Sequence, residues 1–573
     1  MQASKTMKAK EIEFKRSDEI AYRKPPLEAF LGEYNTLLAS ILADNIENFA
    51  YIASATINRM EAQTHLYEKI EKYCQLRELL LRDKQTGVIV AQEDNLIYPA
   101  LKNEFKLRVK KENIKYTNLF SGIIESLKRI GILRFSVKFI LVFLRSLWLI
   151  IASRRTPSSK MDYRSVIRTY FDFRCEGADG KLREEYFGPF AADLAKEGKL
   201  LVVFKLLYPK DLKLFLKLHK QQPDFESCLL ETFLSPISLG RAMLRFGFSR
   251  IRLRKRYFYR GNDITDLLQR MIDDDYCGLR GIDVFIEYEA ARKIMELKPK
   301  RLYFPYENQT WEKVYPLVKK DTKAVDTKII GFQHTSFSYK LIMHFPAVAE
   351  RHLPLFPDKI LTVGSICQQL LKEKAHYPCD IVEGAALRHA KYGGENGFEI
   401  KVPHQKLQKR IVYAFSYDLS KYRSIIIALL DVFKESNIIL FLKIHPDYNE
   451  NDVLKSLQIE LPENIKLAQK IPWSQIYESV DCVLYDDNTL GVEGIINGVK
   501  TFMLDVSEPI YEINRMHYFR EWESSIDISG LKRLRAEIEN GIFDLHYDLG
   551  NIEKYINSYF NVYSREKYFA AYL

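Results

Sequence analysis

Two short polar motifs interrupt apolar runs in the carboxyl-terminal part of the sequence. His445-Pro446 ends one strand-like run, and Asp487-Asn488-Thr489 ends another and begins a helical pattern with Glu493 one turn later. Strand ends that continue into helices are common ligand positions in open α/β sheets. Asn488 and Thr489 occupy the expected N-cap, where free backbone N–H groups hold a phosphate. We predict that all six residues bind a nucleotide-activated sugar, with His445 near the phosphate and Glu493 near the ribose.

A second set of candidates follows two earlier strand patterns. Glu307 follows the apolar residues of KRLYFPYENQTWEK, and His334 follows those of TKIIGFQHTSF. A carboxylate in such a place can act as a general base on a hydroxyl or as a nucleophile at an anomeric carbon. A histidine can protonate or hydrogen-bond a leaving group. We therefore take Glu307 as the lead catalytic residue and His334 as its acid/base partner.

Four further polar residues are candidates for binding a hydroxyl-rich acceptor. They are Arg168, Asp172, Gln309 and Glu312. The first two belong to the polar-aromatic run RTYFDFR, whose mixture of side chains suits such a ligand; the alternative is a loop packed by its own aromatic rings. No metal site is predicted, because the acids of MIDDDY (271–276) lie in a helical context and point in different directions.

The elements that must position these residues alternate between strands and helices, which indicates parallel α/β sheets. In the first half the strands are predicted at 87–95, 199–207, 302–304, 329–332, 358–365 and 379–389, with helices at 27–82 and 101–115. In the second half the strands are predicted at 411–416, 437–444, 465–468, 481–485 and 500–504. The helices between them are predicted at 421–434, 451–457, 474–479 and 490–497.

The predicted fold class is therefore α/β, with two Rossmann-like domains and additional helical N-terminal and membrane-surface segments. A chain of 573 residues is too long for one hydrophobic core. The predicted units are a helical N-terminal segment (1–86), a first α/β domain (87–390), a glycine-bearing linker (391–410), a second α/β domain (411–510) and a helical tail (511–573). We expect the tail to pack back onto the first domain.

Composition narrows the class of protein. The formal charge of +11 is modest for this length, so it suits an anionic ligand or membrane surface and gives no nucleic-acid signature. The seven cysteines are scattered and form no CxxC pair, which is typical of reduced thiols in the cytoplasm. The first residues contain no apolar signal-peptide core. We expect a cytoplasmic protein.

Residues 127–155 form an apolar stretch interrupted by Arg134, Lys138 and Arg145 and followed by Arg154 and Arg155. Its longest part with a single charge has about 15 residues, fewer than the roughly 20 that a spanning helix needs. Cations combined with tryptophan, phenylalanine and leucine are typical of a helix that lies in the membrane interface. We expect contact with the inner face of the cytoplasmic membrane; the alternative is a buried core helix with snorkelling arginines.

The chain resembles two groups of proteins. RTYFDFR, EEYFGPF, PYENQTWEK, GFQHTSF, PDKILTVGS and EGAALRH, in this order over about residues 160–505, resemble bacterial O-antigen and capsule biosynthesis proteins. KIHP and the later Asn-Thr-helix motif resemble glycosyltransferases of the GT-B fold that use CMP-activated sialic acid or Kdo. In that family the HP histidine contacts the nucleotide near the leaving phosphate, and no metal cofactor is needed. This chain departs from the family in having KIHP for KPHP and Asn488-Thr489 for a Ser/Thr pair.

The resemblance implies a glycosyltransferase that moves an acidic sugar from a CMP donor to a saccharide or lipid-linked acceptor. The CMP-sugar is a substrate, and no cofactor is expected. Inversion through a general base and retention through a covalent intermediate both remain open. The alternatives are a GT-B-like transferase or epimerase that uses a UDP-sugar or a CDP-polyol, and a non-catalytic capsule assembly protein.

Overall fold

The computed structural model describes most of the chain. The described residues are 11–12, 30–60, 64–82, 88–91, 97, 100–101, 108–111, 131–153, 163–177, 179–221, 225–335, 342–394, 397–403, 406–416, 419–446, 448–486, 488–504, 524–546 and 549–573. Asp487, one of the predicted nucleotide ligands, lies outside them. Three short strands, β1 (Glu11–Ile12), β2 (Val88–Ala91) and β3 (Arg108–Lys111), pair in a small parallel sheet of their own.

The first large sheet has seven parallel strands. They are β4 (Ser165–Phe171), β5 (Leu200–Leu206), β6 (Glu226–Leu229), β9 (Arg301–Pro305), β10 (Lys328–Phe332), β11 (Lys359–Leu361) and β12 (Asp380–Val382), and the hairpin β7 (Phe258–Tyr259) and β8 (Asn262–Asp263) lies outside the sheet. The order across the sheet is β12-β11-β10-β9-β4-β5-β6. The chain thus starts in the middle at β4, builds outward to β6, and then returns to build the other side from β9. That is the doubly wound order of a Rossmann-like sheet, with one strand added at an edge.

The helices of this half begin and end as follows. They are α1 (Asn35–Asp44), α2 (Phe49–Ala53), α3 (Leu66–Arg82), α4 (Gly131–Ala152), α5 (Gly188–Lys196), α6 (Leu212–His219), α7 (Pro236–Gly247), α8 (Thr265–Cys277), α9 (Ile282–Glu296), α10 (Val314–Thr322) and α11 (Ser365–Leu370). Strands β4, β5 and β9 are apolar runs buried almost throughout, as expected for parallel strands covered on both faces.

The second large sheet has six parallel strands. They are β15 (Arg410–Ala414), β16 (Ile439–Lys443), β17 (Ile465–Leu467), β18 (Cys482–Tyr485), β19 (Lys500–Leu504) and β20 (Ser524–Ile526). Their order, β17-β16-β15-β18-β19-β20, is the 3-2-1-4-5-6 order of a Rossmann fold. The helices of this half are α12 (Tyr422–Phe433), α13 (Glu450–Leu457), α14 (Trp473–Ser479), α15 (Leu490–Ile496), α16 (Ile528–Glu539), α17 (Leu549–Tyr559) and α18 (Ala570–Tyr572).

The sequence prediction is confirmed for five strands and four helices of the second half. Each predicted start and end lies within two residues of the observed one. Three predictions for the first half are wrong. The run at 87–95 forms β2 of the small sheet and does not join the seven-stranded one. The stretch at 101–115, predicted as a basic helix, contains β3. The central strand β4 was interpreted as an acceptor-facing run or loop, because Arg168 and Thr169 interrupt its apolar pattern.

The predicted single helix at 27–82 is broken into separate helical pieces, which pack into the first domain and do not stand apart from it. Leu38, Ile52 and Ile70 belong to the same buried cluster as the seven-stranded sheet. Two buried contacts fasten this region. The Arg59 guanidinium donates to both carboxylate oxygens of Glu350 at 2.7 and 2.8 Å, and the Thr56 backbone N–H donates to Asp275 at 2.7 Å.

The second domain extends beyond residue 510, where its end was predicted. Strand β20 pairs with β19, and helix α16 buries Leu531, Leu534 and Ile538 in the core of the second sheet. The predicted linker is also packed, since it contains a two-residue hairpin of β13 (Gly393–Gly394) and β14 (Gly397–Phe398). The Phe398 backbone N–H donates to the Asn557 side chain at 2.7 Å.

The carboxyl-terminal residues return to the first domain, as predicted. The Asn561 N–H donates to the Val363 carbonyl at 2.9 Å, and a Cβ at Gly364 would lie 2.2 Å from the Tyr559 carbonyl oxygen, so only glycine permits this approach. The last residues pack against the central strand β9, where the Tyr303 hydroxyl donates to the Tyr572 carbonyl at 2.9 Å. Two Rossmann-like domains joined by a returning carboxyl-terminal helix constitute the GT-B arrangement.

Removing this anchor should destabilise the first domain. Tyr572 is fully buried, and its hydroxyl accepts a hydrogen bond of 2.5 Å from the Ala385 N–H. We expect Tyr572→Ala to lower the free energy of unfolding by about 3–5 kcal/mol, because it leaves an aromatic-sized cavity. Calorimetric unfolding measures this. Phe258→Ala is the control, because that ring is 54% exposed and should change stability little. Equal effects of the two variants would contradict an anchoring role for the tail.

Candidate active site at the two switch points

The strand order defines where each sheet can bind a ligand. In doubly wound sheets ligands bind beyond the carboxyl ends of the strands, at the point where the direction of winding reverses. In the first sheet that point lies between β4 and β9, the strands that lead to Asp172 and Glu307. In the second sheet it lies between β15 and β18, which lead to Ser416 and Asp486. Both predicted clusters therefore lie at or next to a switch point.

A buried carboxylate shapes the turn that presents Glu307. Glu312 accepts hydrogen bonds from the backbone N–H groups of Glu307, at 3.0 and 3.1 Å, and of Gln309, at 3.0 Å. Between them Asn308 adopts a left-handed backbone with φ of 59°, a conformation that asparagine tolerates better than most residues. Glu312 is therefore a structural residue of the turn. It was predicted to contact the acceptor, but its side chain is buried and used within the fold.

A chain of side-chain hydrogen bonds orients the Glu307 carboxylate. The Trp311 indole N–H donates to Gln309 Oε1 at 3.0 Å, and the Gln309 amide N–H in turn donates to Glu307 Oε2. The indole thus decides which end of the Gln309 amide faces the glutamate. Gln309, predicted as an acceptor ligand, lies beside the catalytic candidate and positions it.

The other oxygen of Glu307 faces His334. His334 Nε2 lies 3.6 Å from Glu307 Oε1, and Tyr186 packs edge-on against the imidazole with ring centroids 4.9 Å apart. The side chains of Glu307 and His334 are 16% and 9% exposed, so each is largely buried yet reachable from one side. Among the described residues His334 Nδ1 has no hydrogen-bond partner. The structure therefore brings together the two residues that the sequence proposed for catalysis.

Burial moves both groups toward their neutral forms. Desolvation raises the pKa of Glu307, against the opposing hydrogen bond from Gln309. Desolvation, followed by the positive charge of Arg388, lowers the pKa of His334 well below its usual 6.5. A carboxylate with a raised pKa beside a neutral imidazole is suited to proton transfer near neutral pH.

Arg168 has a different role from the predicted one. It is buried on β4, where its guanidinium donates to both oxygens of Glu287 on α9, at 2.8 and 2.9 Å. Its guanidinium carbon lies 3.8 Å from the centroid of the Trp311 ring. Burial tends to raise the pKa of Glu287, but the charges of Arg168 and Lys205 outweigh it, so that the pKa is lowered. The Arg168 guanidinium packs against the face of the Trp311 ring and does not face an acceptor.

The first switch point also contains Asp172, predicted as an acceptor ligand but buried and paired within the fold, and residues that the sequence did not single out. Asp172 binds Arg174, whose Nε lies 3.0 Å from each carboxylate oxygen. Arg388, in the segment after β12, lies over the Tyr186 ring at 5.6 Å and 3.9 Å from Glu185. EEYFGPF and EGAALRH carry Tyr186 and Arg388, so the only sequence signal for them was membership of these two motifs. In addition to burial, the positive charges of Arg388 and Arg174 both act on His334 and help to lower its pKa.

At the second switch point two hydrogen-bonded contacts join the ends of β15 and β18. Asp486 accepts from the Ser416 backbone N–H at 2.9 Å and from its hydroxyl at 2.6 Å. The Asn488 amide donates to the Ala414 carbonyl at 3.1 Å, and its Oδ1 accepts from the Leu490 N–H at 3.0 Å. Asn488 therefore bonds the first N–H of α15 from the position before the N-cap Thr489, whose side chain makes no capping bond, so this N–H is not free for a phosphate as predicted.

The remaining nucleotide candidates lie around the same edge, and their role as ligands stays a prediction. His445 and Pro446 follow β16, the neighbour of β15, and the His445 N–H donates to the Tyr422 hydroxyl at 3.3 Å. Thr489 immediately precedes α15. Gly491 in α15 lies against the Tyr485 ring, where a Cβ would approach to 2.3 Å, so glycine is needed for this helix to pack on β18.

Glu493 joins the two halves of the molecule. Its carboxylate oxygens lie 3.2 Å from His389 Nε2 and 3.3 Å from the Tyr392 hydroxyl, both in the segment after β12. Burial raises its pKa, but the hydrogen bond from His389 and the charges of His389 and Arg388 outweigh that effect and lower it. The charge of Arg388 thus acts on Glu307 of the first sheet and on Glu493 beside the second.

No protein-family model matches the chain, and no curated protein does. Solved structures resemble it at low identity. The putative UDP-N-acetylglucosamine 2-epimerase of Listeria monocytogenes aligns over 70% of this chain and 93% of its own, with 11% identity and a TM-score of 0.41. The glycosyltransferase SnogD of Streptomyces nogalater aligns over 69% and 93%, with 12% identity and a TM-score of 0.36. The lipopolysaccharide outer core galactosyltransferase WaaB aligns over 70% and 96%, with 12% identity and a TM-score of 0.35.

The role of Arg168 can be tested through stability. We expect Arg168→Met to lower the free energy of unfolding by about 3–5 kcal/mol, because Glu287 is left buried without its main partner. Adding Glu287→Leu should recover part of the loss, since no unpaired charge remains. Arg183→Met is the control, because its ion pair with Asp179 is exposed. If Arg168→Met left the stability unchanged but raised the KM for the acceptor, the result would instead support the predicted role of Arg168 in acceptor binding.

Proposed function

We propose that the protein is a glycosyltransferase that transfers an acidic sugar from a CMP-activated donor to a hydroxyl of a saccharide or lipid-linked acceptor in surface polysaccharide biosynthesis. The observation that carries the proposal is the Glu307–His334 pair, with 3.6 Å between Nε2 and Oε1 at the carboxyl edge of the first sheet. Its position next to the switch point of a GT-B domain is where such chemistry is expected.

In this proposal Glu307 is the general base. Its carboxylate accepts the proton of the acceptor hydroxyl as that oxygen attacks the anomeric carbon of the donor sugar. The bond from the anomeric carbon to the phosphate oxygen breaks, and the nucleoside monophosphate leaves with the electron pair. A raised pKa favours this role over that of a covalent nucleophile, which reacts in the ionised form and is aided by a lowered pKa. The reaction then inverts the anomeric configuration. Neutral His334 orients the hydroxyl beside Glu307.

The arginines beside the pair support an acidic sugar. Arg174 is engaged by Asp172, whereas the closest carboxylate to Arg388 in the described part of the chain lies at 3.9 Å. The Arg388 side chain is about a third exposed, so that an anionic group can approach it. Arginine presents a planar set of donors that matches a carboxylate. A sugar carboxylate bound by Arg388 would lie next to Glu307.

The second switch point supports donor binding. Ser416, Asp486 and Asn488 fix the strand ends there, and His445 follows the neighbouring strand. In the proposal the nucleotide lies across these ends with its phosphate near His445. The positive charge opposite the leaving phosphate comes from side chains, and no metal ion takes part.

Replacing the proposed base should abolish transfer without affecting donor binding. We expect Glu307→Gln to lower kcat/KM by a factor of about 100 or more, because general-base catalysis contributes 10²–10⁴-fold. In the unmodified enzyme the ionised form of Glu307 is lost as the pH falls through its raised pKa. The acid limb of kcat/KM should therefore have its midpoint above 4.5, the ordinary value for glutamate.

Glu383→Gln is the matched control, since Glu383 follows β12 at the same sheet edge and accepts a hydrogen bond from Asn561 at 2.8 Å. It should retain most of the activity. The assignment of Glu307 is wrong if Glu307→Gln keeps most of its turnover, or if the control loses as much.

The donor nucleotide can be identified by thermal shift with CMP, CDP, UDP and GDP. We expect CMP to raise Tm most, because a ligand that binds only the folded state adds about 2.7 kcal/mol of stability at 100 times its Kd. Asn488→Ala should reduce the CMP shift. Asn497→Ala at the other end of α15 should not, since its side chain donates to the Glu493 carbonyl and accepts from Lys401, away from the strand ends.

A response to UDP alone would contradict the CMP donor. Release of nucleotide from UDP-GlcNAc or CDP-glycerol would then identify the UDP-sugar or CDP-polyol alternative. Neither binding nor release with any nucleotide would indicate a non-catalytic assembly protein.

A further inference from the structure

Helix α4 carries the longest exposed apolar surface in the described part of the chain. Six large side chains along it are each at least half exposed: Val137 at 50%, Ile140 at 55%, Leu141 at 60%, Leu144 at 54%, Trp148 at 50% and Ile151 at 50%. Their spacing of three and four residues places all six on one face of the helix. We call this face the α4 stripe. Single exposed apolar residues are ordinary in soluble proteins, but a continuous stripe of six marks an interaction surface.

The opposite face of α4 is occupied by protein. Phe135 stacks on Tyr276 of α8 with ring centroids 4.9 Å apart and on Phe246 of α7 at 6.2 Å. Ser146 and Leu149 are buried. The helix is therefore held along its length against the first domain, with its stripe turned outward. By length and composition alone 135–152 would suffice to cross a membrane, and 11% of it is buried.

The charges on α4 are all positive and are placed beside the stripe. Residues 131–152 include Arg134, Lys138 and Arg145 and no carboxylate. Lys138 and Arg145 are exposed and lie seven residues apart, so both lie along the same flank of the stripe. Arg145 is also near Asp283, whose pKa is lowered first by Lys205 and then by Arg145.

A second basic segment lies near the start of α4. Five of the seven residues from Arg250 to Arg256 are arginine or lysine, and this segment begins four residues after Phe246, which contacts Phe135. Arg250 and Arg252 pair with Asp273, one turn from Tyr276. Cations thus border the apolar face along one flank and near one end.

We propose that the α4 stripe lies in the plane of an anionic phospholipid surface, with its apolar side chains among the acyl chains and Lys138 and Arg145 at the headgroups. An apolar face flanked by cations has the composition of an interfacial helix, and anionic headgroups complement the positive charge. A second copy of this chain fits less well, because two such faces would bring their cations together. A spanning helix fits less well, because α7 and α8 hold the opposite face.

The test is co-sedimentation of the full chain with vesicles. We expect binding to phosphatidylglycerol–phosphatidylcholine vesicles that weakens with added salt, and little binding to phosphatidylcholine alone. Leu144→Glu with Trp148→Glu should weaken binding at least about tenfold, because both charges would enter the apolar layer. Lys138→Glu with Arg145→Glu should weaken binding to the anionic vesicles selectively. Val325→Glu with Ile542→Glu is the control, since both residues are more than 70% exposed but lie away from α4.

Three results would overturn the proposal. The first is vesicle binding that the stripe variants leave unchanged. The second is a dimer, measured by light scattering without lipid, that these variants dissociate. The third is membrane association in cells that resists an alkaline carbonate wash, which indicates a spanning helix. The thermal shift with nucleotide should be the same in all these variants, so loss of vesicle binding is distinguishable from failure of the proposed transferase function.

Discussion

The geometry of the candidate site in the first domain depends on the buried ion pair between Arg168 and Glu287. Neither side chain is more than 1% exposed, so the pair is stable only because its donors and acceptors are satisfied. Glu287 also accepts from the Tyr315 hydroxyl at 2.6 Å, which ties β4 and α9 to α10. The guanidinium plane supports the Trp311 ring, and that indole sets the orientation of Gln309. The Arg168–Glu287 ion pair thus orients the Glu307 carboxylate through two side chains, Trp311 and Gln309.

Glu307 and Glu493 are both largely buried, but their pKa values are shifted in opposite directions. Burial raises the pKa of Glu307 and outweighs the hydrogen bonds from Gln309 and Thr335 and the charge of Arg388. Glu493 receives hydrogen bonds from His389 and Tyr392 and lies near two further cations, so its pKa is lowered in spite of burial. A lowered pKa favours the ionised form, which suits a carboxylate that fixes structure, and a raised pKa suits one that exchanges a proton. The environments of the two residues therefore support different roles.

Much of the second domain could be predicted from the sequence, because its strands are uninterrupted apolar runs separated by helical patterns. The strands of the first domain were harder to predict from the sequence. Strand β4 contains Arg168 and Thr169, whose partners Glu287 and Glu184 lie 119 and 15 residues away, so a local pattern cannot identify it as buried. Without β4 the switch point of the first sheet could not be located. Glu307 and His334 could be chosen as candidates because each closely follows an apolar strand. Arg388 and Tyr186 could not, because they come from segments whose position depends on the whole fold.

Arg388 couples the two halves of the proposed site through charge. Its positive charge lowers the pKa of Glu307 and thereby opposes the effect of burial. The same charge also lowers the pKa of Glu493. An anionic sugar bound at Arg388 would neutralise much of this charge, and the pKa of Glu307 would then rise further. In the proposed mechanism Glu307 would therefore be a stronger base when an acidic donor is bound than in the empty site, which favours proton removal from the acceptor. The charge of Arg388 would thus link donor binding to the strength of the base in this mechanism.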